Sequence, residues 1–280
     1  MHRLLGERAV LADGAMGTML LERGVPPDAC LVELNLRRPE MVAAVHSEYL
    51  LAGAEIIETN TFGANAIRLE QHGLRASVAE INRAGAQIAR ECVAARGALV
   101  AGAIGPPGAR RVAAEARAVF AEQIVALAEG GVDLLMAETM MSMAEAAEAI
   151  HAAREVAPEL PLVVMMTVDA VGRCLDGELV ETAAARLSEL GADLIGCNCS
   201  DGPESVLHAI ERMRRVTGLP LAAMPNAGLP RKSNGRWVYA VSPEEMAGFA
   251  RRAVEVGATL VGGCCGTTPE HTRAMRVAMS

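Results

Sequence analysis

The hexapeptide Leu190-Gly191-Ala192-Asp193-Leu194-Ile195 is one of four similar segments in this chain. Each segment places a glycine at the expected end of a helix, where a left-handed C-cap favours Gly. A small residue and a polar or hydroxyl residue follow, and then an apolar strand begins. A helix-to-strand junction that repeats in this way indicates a fold built from similar βα units. The other copies are Ala52-Gly53-Ala54-Glu55-Ile56-Ile57, Gly130-Gly131-Val132-Asp133-Leu134-Leu135 and Val256-Gly257-Ala258-Thr259-Leu260-Val261.

Eight short apolar runs alternate with longer stretches rich in Ala, Glu, Arg and Leu. Such alternation over about 250 residues is typical of an α/β fold, the single (β/α)8 TIM barrel. No Pro- or Ser-rich linker divides the chain, so we expect one barrel domain over residues 1–280. The predicted strands are Ala9–Asp13, Glu55–Asn60, Leu99–Ile104, Asp133–Glu138, Leu162–Thr167, Asp193–Cys197, Leu221–Pro225 and Leu260–Gly263.

The composition excludes several classes of function. The 280 residues are 51% hydrophobic and 21% charged, with a net charge of -8. The acidic balance and the absence of long Lys/Arg clusters argue against a nucleic-acid partner. No apolar run reaches the ~18 residues that would cross a membrane, and the N-terminus carries Glu7 where a secretion signal would be apolar. We therefore expect a cytoplasmic protein without a membrane partner, whose cysteines are thiols or metal ligands.

Three cysteines follow two of the predicted strands. Cys199 comes after the sixth strand, and Cys264 and Cys265 come after the eighth. Active sites of TIM barrels lie at the C-terminal ends of the strands, so these cysteines are expected to converge. Adjacent cysteines reach one site only if the chain turns, and the flanking glycines permit that turn. Three thiolates suit a catalytic zinc with one open position for a substrate sulfur. The alternatives are buried packing residues or a redox pair.

Polar residues at other strand ends predict an amino-acid substrate. Asp13 and Glu138 follow the first and fourth strands and are candidates to bind an ammonium group, or else cap helices or pair with Arg. The backbone N–H groups of Gly14, Ala15, Met16 and Gly17, at a helix start, are candidates to bind a carboxylate. Asn60 and Asn226 are candidates for further hydrogen bonds, or for ordinary turn chemistry. Together with a metal-bound sulfur, these groups describe a thiol amino acid.

The motifs of this chain resemble those of the homocysteine S-methyltransferases, especially the homocysteine-binding barrel of cobalamin-dependent methionine synthase. The resemblance implies that Cys199, Cys264 and Cys265 bind zinc, that Cys197 does not, and that Asp13 and Glu138 receive the homocysteine ammonium. The matching motifs are Asp13-Gly14-Ala15-Met16-Gly17-Thr18, Glu33-Leu34-Asn35, Glu58-Thr59-Asn60-Thr61-Phe62-Gly63, Gly105-Pro106, Glu138-Thr139, Gly196-Cys197-Asn198-Cys199, Pro225-Asn226-Ala227-Gly228 and Gly262-Gly263-Cys264-Cys265-Gly266.

The same resemblance implies methyl transfer to a zinc-bound homocysteine thiolate, with methionine as the product. The expected donor is methylcobalamin, carrying a methyl group derived from methyltetrahydrofolate, on a separate corrinoid-binding protein or methyltransferase module. Two alternatives remain: a stand-alone enzyme that uses S-methylmethionine, and a non-catalytic homocysteine-binding subunit. The few aromatic residues disfavour betaine, since quaternary ammonium groups prefer aromatic cages. The six histidines lie away from the strand ends, which disfavours a zinc hydrolase.

Overall fold

The computed structural model describes residues 8–108, 113–233 and 236–280. Eight parallel strands form the main sheet, and two short antiparallel strands, β8 and β9, form a separate hairpin. Each strand of the main sheet coincides with or overlaps one predicted apolar run, which confirms the sequence interpretation. The strands are β1 (Val10–Leu11), β2 (Ile56–Glu58), β3 (Leu99–Ile104), β4 (Leu134–Met140), β5 (Leu162–Met166), β6 (Leu194–Cys199), β7 (Leu221–Pro225), β8 (Arg231–Ser233), β9 (Arg236–Val238) and β10 (Ala258–Val261).

The main sheet closes on itself. Neighbouring strands pair in the order β1, β10, β7, β6, β5, β4, β3 and β2. A bridge between Ala12 and Ile56 then joins the two ends of this order. The N–H of Glu55 also donates to the carbonyl of Leu11 at 2.7 Å, on the same seam. The predicted (β/α)8 barrel is therefore confirmed. Strand β7 lies between β6, which ends at Cys199, and β10, which precedes Cys264 and Cys265.

Helices surround the barrel and alternate with its strands. The outer ring consists of α3 and α5 to α11, while α1, α2 and α4 lie in the connections that follow β1 and β2. No helix in the described part of the chain is long and apolar enough to cross a membrane. The helices are α1 (Met16–Glu22), α2 (Leu34–Arg37), α3 (Pro39–Ala52), α4 (Ala66–Glu70), α5 (Val78–Val93), α6 (Ala113–Glu129), α7 (Met143–Val156), α8 (Val180–Leu190), α9 (Pro203–Arg214), α10 (Pro243–Glu255) and α11 (Pro269–Ala278).

The repeated hexapeptide forms the joint between a helix and the next strand. Gly191 ends α8 with a φ of 97°, a left-handed conformation that Gly adopts without strain. The carboxylate of Asp193 then accepts a 2.7 Å hydrogen bond from the N–H of Leu162, the first residue of the neighbouring strand β5. The carboxylate of Asp133 likewise accepts a 2.7 Å hydrogen bond from the N–H of Val100 in β3. The polar position of the repeat thus ties adjacent strands together at their N-terminal ends.

Apolar side chains fill the interior of the barrel. Alternate strand positions point inward, so a strand contributes residues such as Leu134 and Met136 to the interior and Leu135 to the layer under the helices. This packing fills the barrel, and active sites of this fold lie at the C-terminal ends of the strands. The interior cluster is Val10, Ala12, Ile56, Ala101, Leu134, Met136, Val163, Met165, Leu194, Ala222, Met224 and Leu260.

Candidate active site

A cavity of about 340 Å³ lies at the C-terminal ends of the barrel strands. Its walls include nine of the eleven site residues predicted from the sequence. Asp13 and Asn226 are buried outside the cavity wall. The predicted residues that line the cavity are Gly14, Ala15, Met16, Gly17, Asn60, Glu138, Cys199, Cys264 and Cys265.

Three thiols meet in this cavity. The sulfur atoms of Cys199, Cys264 and Cys265, hereafter the cysteine cluster, lie within 4.8 Å of one another. Sulfur ligands arranged tetrahedrally around zinc at ~2.3 Å are about 3.8 Å apart, so three sulfurs within 4.8 Å of one another are close enough to share a zinc ion. Cys197 lies outside this group, with its side chain in the layer under the helices. Its thiol contacts the Ser200 hydroxyl at 3.5 Å.

The end of β7 holds both cysteine segments in place. The N–H of Cys264 donates to the carbonyl of Pro225 at 2.8 Å, and the N–H of Asn226 donates to the carbonyl of Cys199 at 3.2 Å. Cys199 and Ser200 have φ values of 53° and 56°, which are costly for residues with a Cβ. The amide of Asn226 donates to the Ser200 carbonyl at 2.9 Å and supports this turn. Asn226 thus contacts the cysteine segments rather than the cavity.

Hydrogen bonds among the three thiols of the cysteine cluster shift their pKa values. Hydrogen bonds from Cys199 and then Cys264 lower the pKa of Cys265 to about 3. Hydrogen bonding to Cys199 is the main cause that raises the pKa of Cys264, followed by hydrogen bonding to Cys265. The thiols of Cys199 and Cys264 are 2.8 Å apart. These hydrogen bonds therefore favour ionisation of Cys265 over that of Cys264, and a bound divalent cation would favour ionisation of all three thiols.

Asn198 connects the cysteine cluster to Glu138, a role that the sequence analysis did not predict. Its side chain is buried, and its amide nitrogen donates to Glu138 Oε2 and to Thr139 Oγ1, each at 2.9 Å. Its oxygen accepts a 2.7 Å hydrogen bond from the N–H of Thr139. Thr139 has a φ of 58°, which is unusual for a β-branched residue. Asn198 therefore fixes both a carboxylate and a strained turn beside the cysteines.

Three carboxyl groups, Asp13, Glu58 and Glu138, form a second group that we name the carboxyl cluster. Asp13 Oδ2 accepts a 3.1 Å hydrogen bond from the N–H of Glu58, and Asp13 Oδ1 is buried without a partner among the described residues. Glu58 and Glu138 both line the cavity. The sequence analysis missed Glu58 as a site residue, although it ends β2 as Asp13 follows β1. The cluster places three acids on one side of the cavity.

The carboxyl cluster lacks a cationic partner among the described residues. No Arg or Lys of the described residues forms an ion pair with any of its members. Burial raises the pKa of Glu58 to about 7. Burial, followed by the charge of Glu58, also raises the pKa of Glu138 and of Asp13. Desolvated acids of this kind gain from a cation that replaces the missing partner.

The first turn of α1 offers backbone donors to the cavity. The expectation of a free N–H at Ala15 is wrong, because this group donates to Thr267 Oγ1 at 3.1 Å. Helix α1 begins at Met16 without a side-chain cap, so the N–H groups of Met16 and Gly17 have no cap. Gly14 is required here because a Cβ would lie 2.5 Å from Thr267 Oγ1. The donors toward the cavity are therefore those of the first helical turn.

The amide nitrogen of the Asn60 side chain is hydrogen-bonded within the protein. Its amide nitrogen donates to the carbonyl of Leu31 at 2.9 Å and to Asn35 Oδ1 at 3.0 Å. The Asn35 amide in turn donates to the carbonyl of Asn60 at 2.9 Å. These bonds hold the segment after β2 against the α1–α2 connection. Only the side-chain oxygen of Asn60 remains for a ligand.

Comparisons with known proteins agree on one family. The family model described as homocysteine S-methyltransferase matches residues 10–279. The methionine synthases of Mycobacterium leprae and Mycobacterium tuberculosis are each 31% identical over 99% of this chain, which spans only 25% of their length. The metallated form of the homocysteine methyltransferase MmuM from Escherichia coli is 25% identical, with a TM-score of 0.84. That match covers 98% of this chain and 97% of the other.

Proposed function

The chain belongs to the homocysteine S-methyltransferase family, and from that premise we propose that it transfers a methyl group to the sulfur of homocysteine and forms methionine. The observation that carries this proposal is one cavity lined by three clustered thiols and by two acids of the carboxyl cluster. The thiols suit a metal that binds a substrate sulfur, and the acids suit an ammonium group. Homocysteine carries both groups on one small molecule.

Zinc is the metal that we assign to the cysteine cluster. Cys199, Cys264 and Cys265 would hold it, and the donor set of three sulfurs is typical of zinc sites with an open position. When bound, zinc supplies a Lewis acid that favours the thiolate form of a substrate sulfur, whose thiol otherwise has a pKa of ~8.5. The metallated form of the E. coli enzyme is consistent with this assignment.

The remaining groups of homocysteine have partners in the same cavity. We assign its ammonium to the carboxyl cluster, where Glu58 and Glu138 face the cavity and Asp13 adds charge from behind. We assign its carboxylate to the N–H groups of Met16 and Gly17 at the start of α1. Asn198 orients Glu138 relative to the cysteines, so the ammonium and sulfur positions are fixed together.

The first candidate donor is a methyl corrinoid on a partner protein or module. The curated relatives are methionine synthases, and this chain corresponds to only a quarter of their length. The second candidate is a small donor such as S-methylmethionine. A barrel that works alone with such a donor is consistent with the match to the E. coli homocysteine methyltransferase, because this chain covers 97% of that chain. The two candidates differ in whether the barrel works alone.

Methionine formation tests the proposal. The purified zinc-loaded protein is incubated with homocysteine and, separately, with methylcobalamin, S-methylmethionine or betaine. We expect methionine from one of the first two donors and loss of activity in Cys265→Ser. Cys174→Ser is the matched control, because Cys174 is buried outside the cavity wall. Activity with S-methylmethionine identifies an independent enzyme, and activity only with the corrinoid identifies a module of a divided system. No methionine with any donor contradicts the proposal and favours a homocysteine-binding subunit.

A further inference from the structure

Tyr49 on α3 is a buried tyrosine that is not among the groups proposed to bind zinc or homocysteine. Its side chain is fully buried, and its hydroxyl donates to the carbonyl oxygens of Ala15 and Thr267, each at 3.0 Å. Burial raises the pKa of Tyr49, so the hydroxyl stays protonated and remains a donor. One hydroxyl therefore joins two segments that are 252 positions apart in the sequence.

Thr267 extends this connection to the cysteine cluster. Its Oγ1 accepts a hydrogen bond from the N–H of Ala15 at 3.1 Å and donates to the carbonyl of Cys264 at 2.8 Å. The N–H of Thr267 donates to the same Cys264 carbonyl at 3.1 Å. Thr267 is fully buried, and hydrogen bonds are stronger in the low-dielectric interior than at the surface. We name Tyr49 and Thr267 the buried clamp.

The backbone on both sides fits closely around the buried clamp. A Cβ at Gly14 would lie 2.5 Å from Thr267 Oγ1 and 3.0 Å from the Tyr49 hydroxyl. A Cβ at Gly263 would also collide with Thr267. The N–H of Gly263 donates to the carbonyl of Asp13 at 3.0 Å. The segment before α1 and the segment that carries the cysteine pair are therefore in direct contact.

The buried clamp orients a peptide group in each of the two segments. The carbonyl of Ala15 and the N–H of Met16 belong to one peptide, and in a trans peptide they point in opposite directions. By holding that carbonyl, the clamp fixes the direction of an N–H that we assign to the homocysteine carboxylate. The carbonyl of Cys264 likewise shares a peptide with the N–H of Cys265, between two assigned zinc ligands. The clamp thus connects the binding site of the carboxylate to that of the sulfur.

The spacing between these two binding sites decides which thiol amino acids reach both at once. Cysteine is one methylene shorter than homocysteine, so the cavity of about 340 Å³ does not exclude it by size. A fixed spacing does discriminate, because a cysteine whose carboxylate is bound has its sulfur too far from the metal. Small errors in position have large effects when a ligand must meet two fixed points.

Resting on the proposed function, we propose that Tyr49 and Thr267 are specificity-determining positioning residues, which fix the spacing between the carboxylate and sulfur sites and so select homocysteine over cysteine. Neither residue lines the cavity, so both act through the backbone that they hold. Their contribution therefore appears in the ratio of the two affinities. A purely structural role would weaken all ligands alike.

Titration of the zinc-loaded protein with homocysteine, cysteine and 3-mercaptopropylamine tests this proposal without turnover. We expect the wild-type protein to prefer homocysteine over cysteine by about tenfold or more. Tyr49→Phe and Thr267→Val each remove a hydroxyl and preserve the shape of the side chain. Each should reduce this preference by about fivefold to tenfold, through weaker homocysteine binding. Because 3-mercaptopropylamine is homocysteine without its carboxylate, its affinity should stay within about twofold, and each variant should keep about one zinc per chain.

Two control variants separate this role from a general loss of stability. Thr267→Ser keeps the hydroxyl and should keep the wild-type preference. Thr272→Val removes a buried hydroxyl that has no partner among the described residues and lies outside the cavity wall, so it should change no titration.

The proposal is wrong if either Tyr49→Phe or Thr267→Val keeps the wild-type preference, weakens all three ligands equally, or loses zinc. It is also wrong if the wild-type protein binds cysteine as tightly as homocysteine. Failure of the proposed function appears separately, as no methionine formation by the wild-type protein.

Discussion

Substitution of Glu58 by Gln tests whether the carboxyl cluster is a desolvated site for an ammonium group. Burial raises the pKa of Glu58 from the ordinary value of 4.5 to about 7. The folded protein therefore holds this proton more tightly than the unfolded chain, and the free energy of unfolding falls as the pH rises from about 4.5 to about 7. Above about pH 7, the contribution of Glu58 to the free energy of unfolding no longer changes with pH. Gln resembles the protonated acid and does not titrate.

The magnitude follows from the two pKa values. One unit of pKa is worth about 1.4 kcal/mol, so the difference between 4.5 and about 7 corresponds to at most about 3.5 kcal/mol. This figure is an upper limit because Glu58 keeps some contact with the cavity. Relative to wild type, Glu58→Gln should gain stability as the pH rises from 5 to 8, by roughly 1–3 kcal/mol. It should also bind homocysteine about tenfold or more weakly at pH 8, because a charge-assisted hydrogen bond is lost.

Urea unfolding at several pH values and homocysteine titration measure these two effects. Both proteins are loaded with the same amount of zinc, and the exposed Glu159→Gln serves as the matched control. The control should follow the wild-type pH dependence and bind homocysteine normally. If Glu58→Gln shows the wild-type pH dependence and binds homocysteine as tightly as wild type, Glu58 is not part of an ammonium site.

Three further predictions concern the cysteine cluster and its neighbours. Cys-to-Ser variants of the cluster should each lose zinc by elemental analysis, whereas Cys197→Ser should keep about one zinc per chain; zinc retained by all of them would rule out the assigned site. Zinc binding near pH 7 should release protons, because hydrogen bonding to Cys199 and then Cys265 raises the pKa of Cys264, whose thiol must ionise to bind the metal. Calorimetry in buffers of different ionisation enthalpy measures this release, and a value near zero would contradict the assigned ligands. Asn198→Ala should leave the Thr139 N–H unpaired and lower the free energy of unfolding by about 1–3 kcal/mol. This variant should bind homocysteine more weakly and keep a normal zinc content. Unchanged homocysteine affinity would show that Asn198 does not position Glu138.

The barrel fold could be predicted from the sequence because the patterns that indicate its helices and strands are local. A short apolar run after a Gly that caps a helix, as at Gly191, is visible in a few residues of sequence. The order of such runs then determines that Cys199 and Cys264 reach the same end of the barrel. The pairing of β7 with β6 and β10 places both segments against one strand. The convergence of the cysteines therefore follows from topology alone.

Other parts of the site depend on contacts between distant segments. Thr267 Oγ1 accepts a hydrogen bond from the N–H of Ala15, which is 252 positions away in the sequence, and no local pattern predicts that bond. Glu58 and Asn198 were missed for a related reason: each lies in a strand, and its role depends on which side chains the closed barrel brings opposite it.

The most direct test of the central claim is sulfur coordination in the zinc-loaded protein, measured by X-ray absorption at the zinc edge before and after homocysteine is added. The account predicts three sulfur ligands without substrate and about four with it, in wild type and in Cys197→Ser alike. If the number of sulfur ligands does not change when homocysteine is bound, the cysteine cluster does not hold a metal that receives the substrate sulfur.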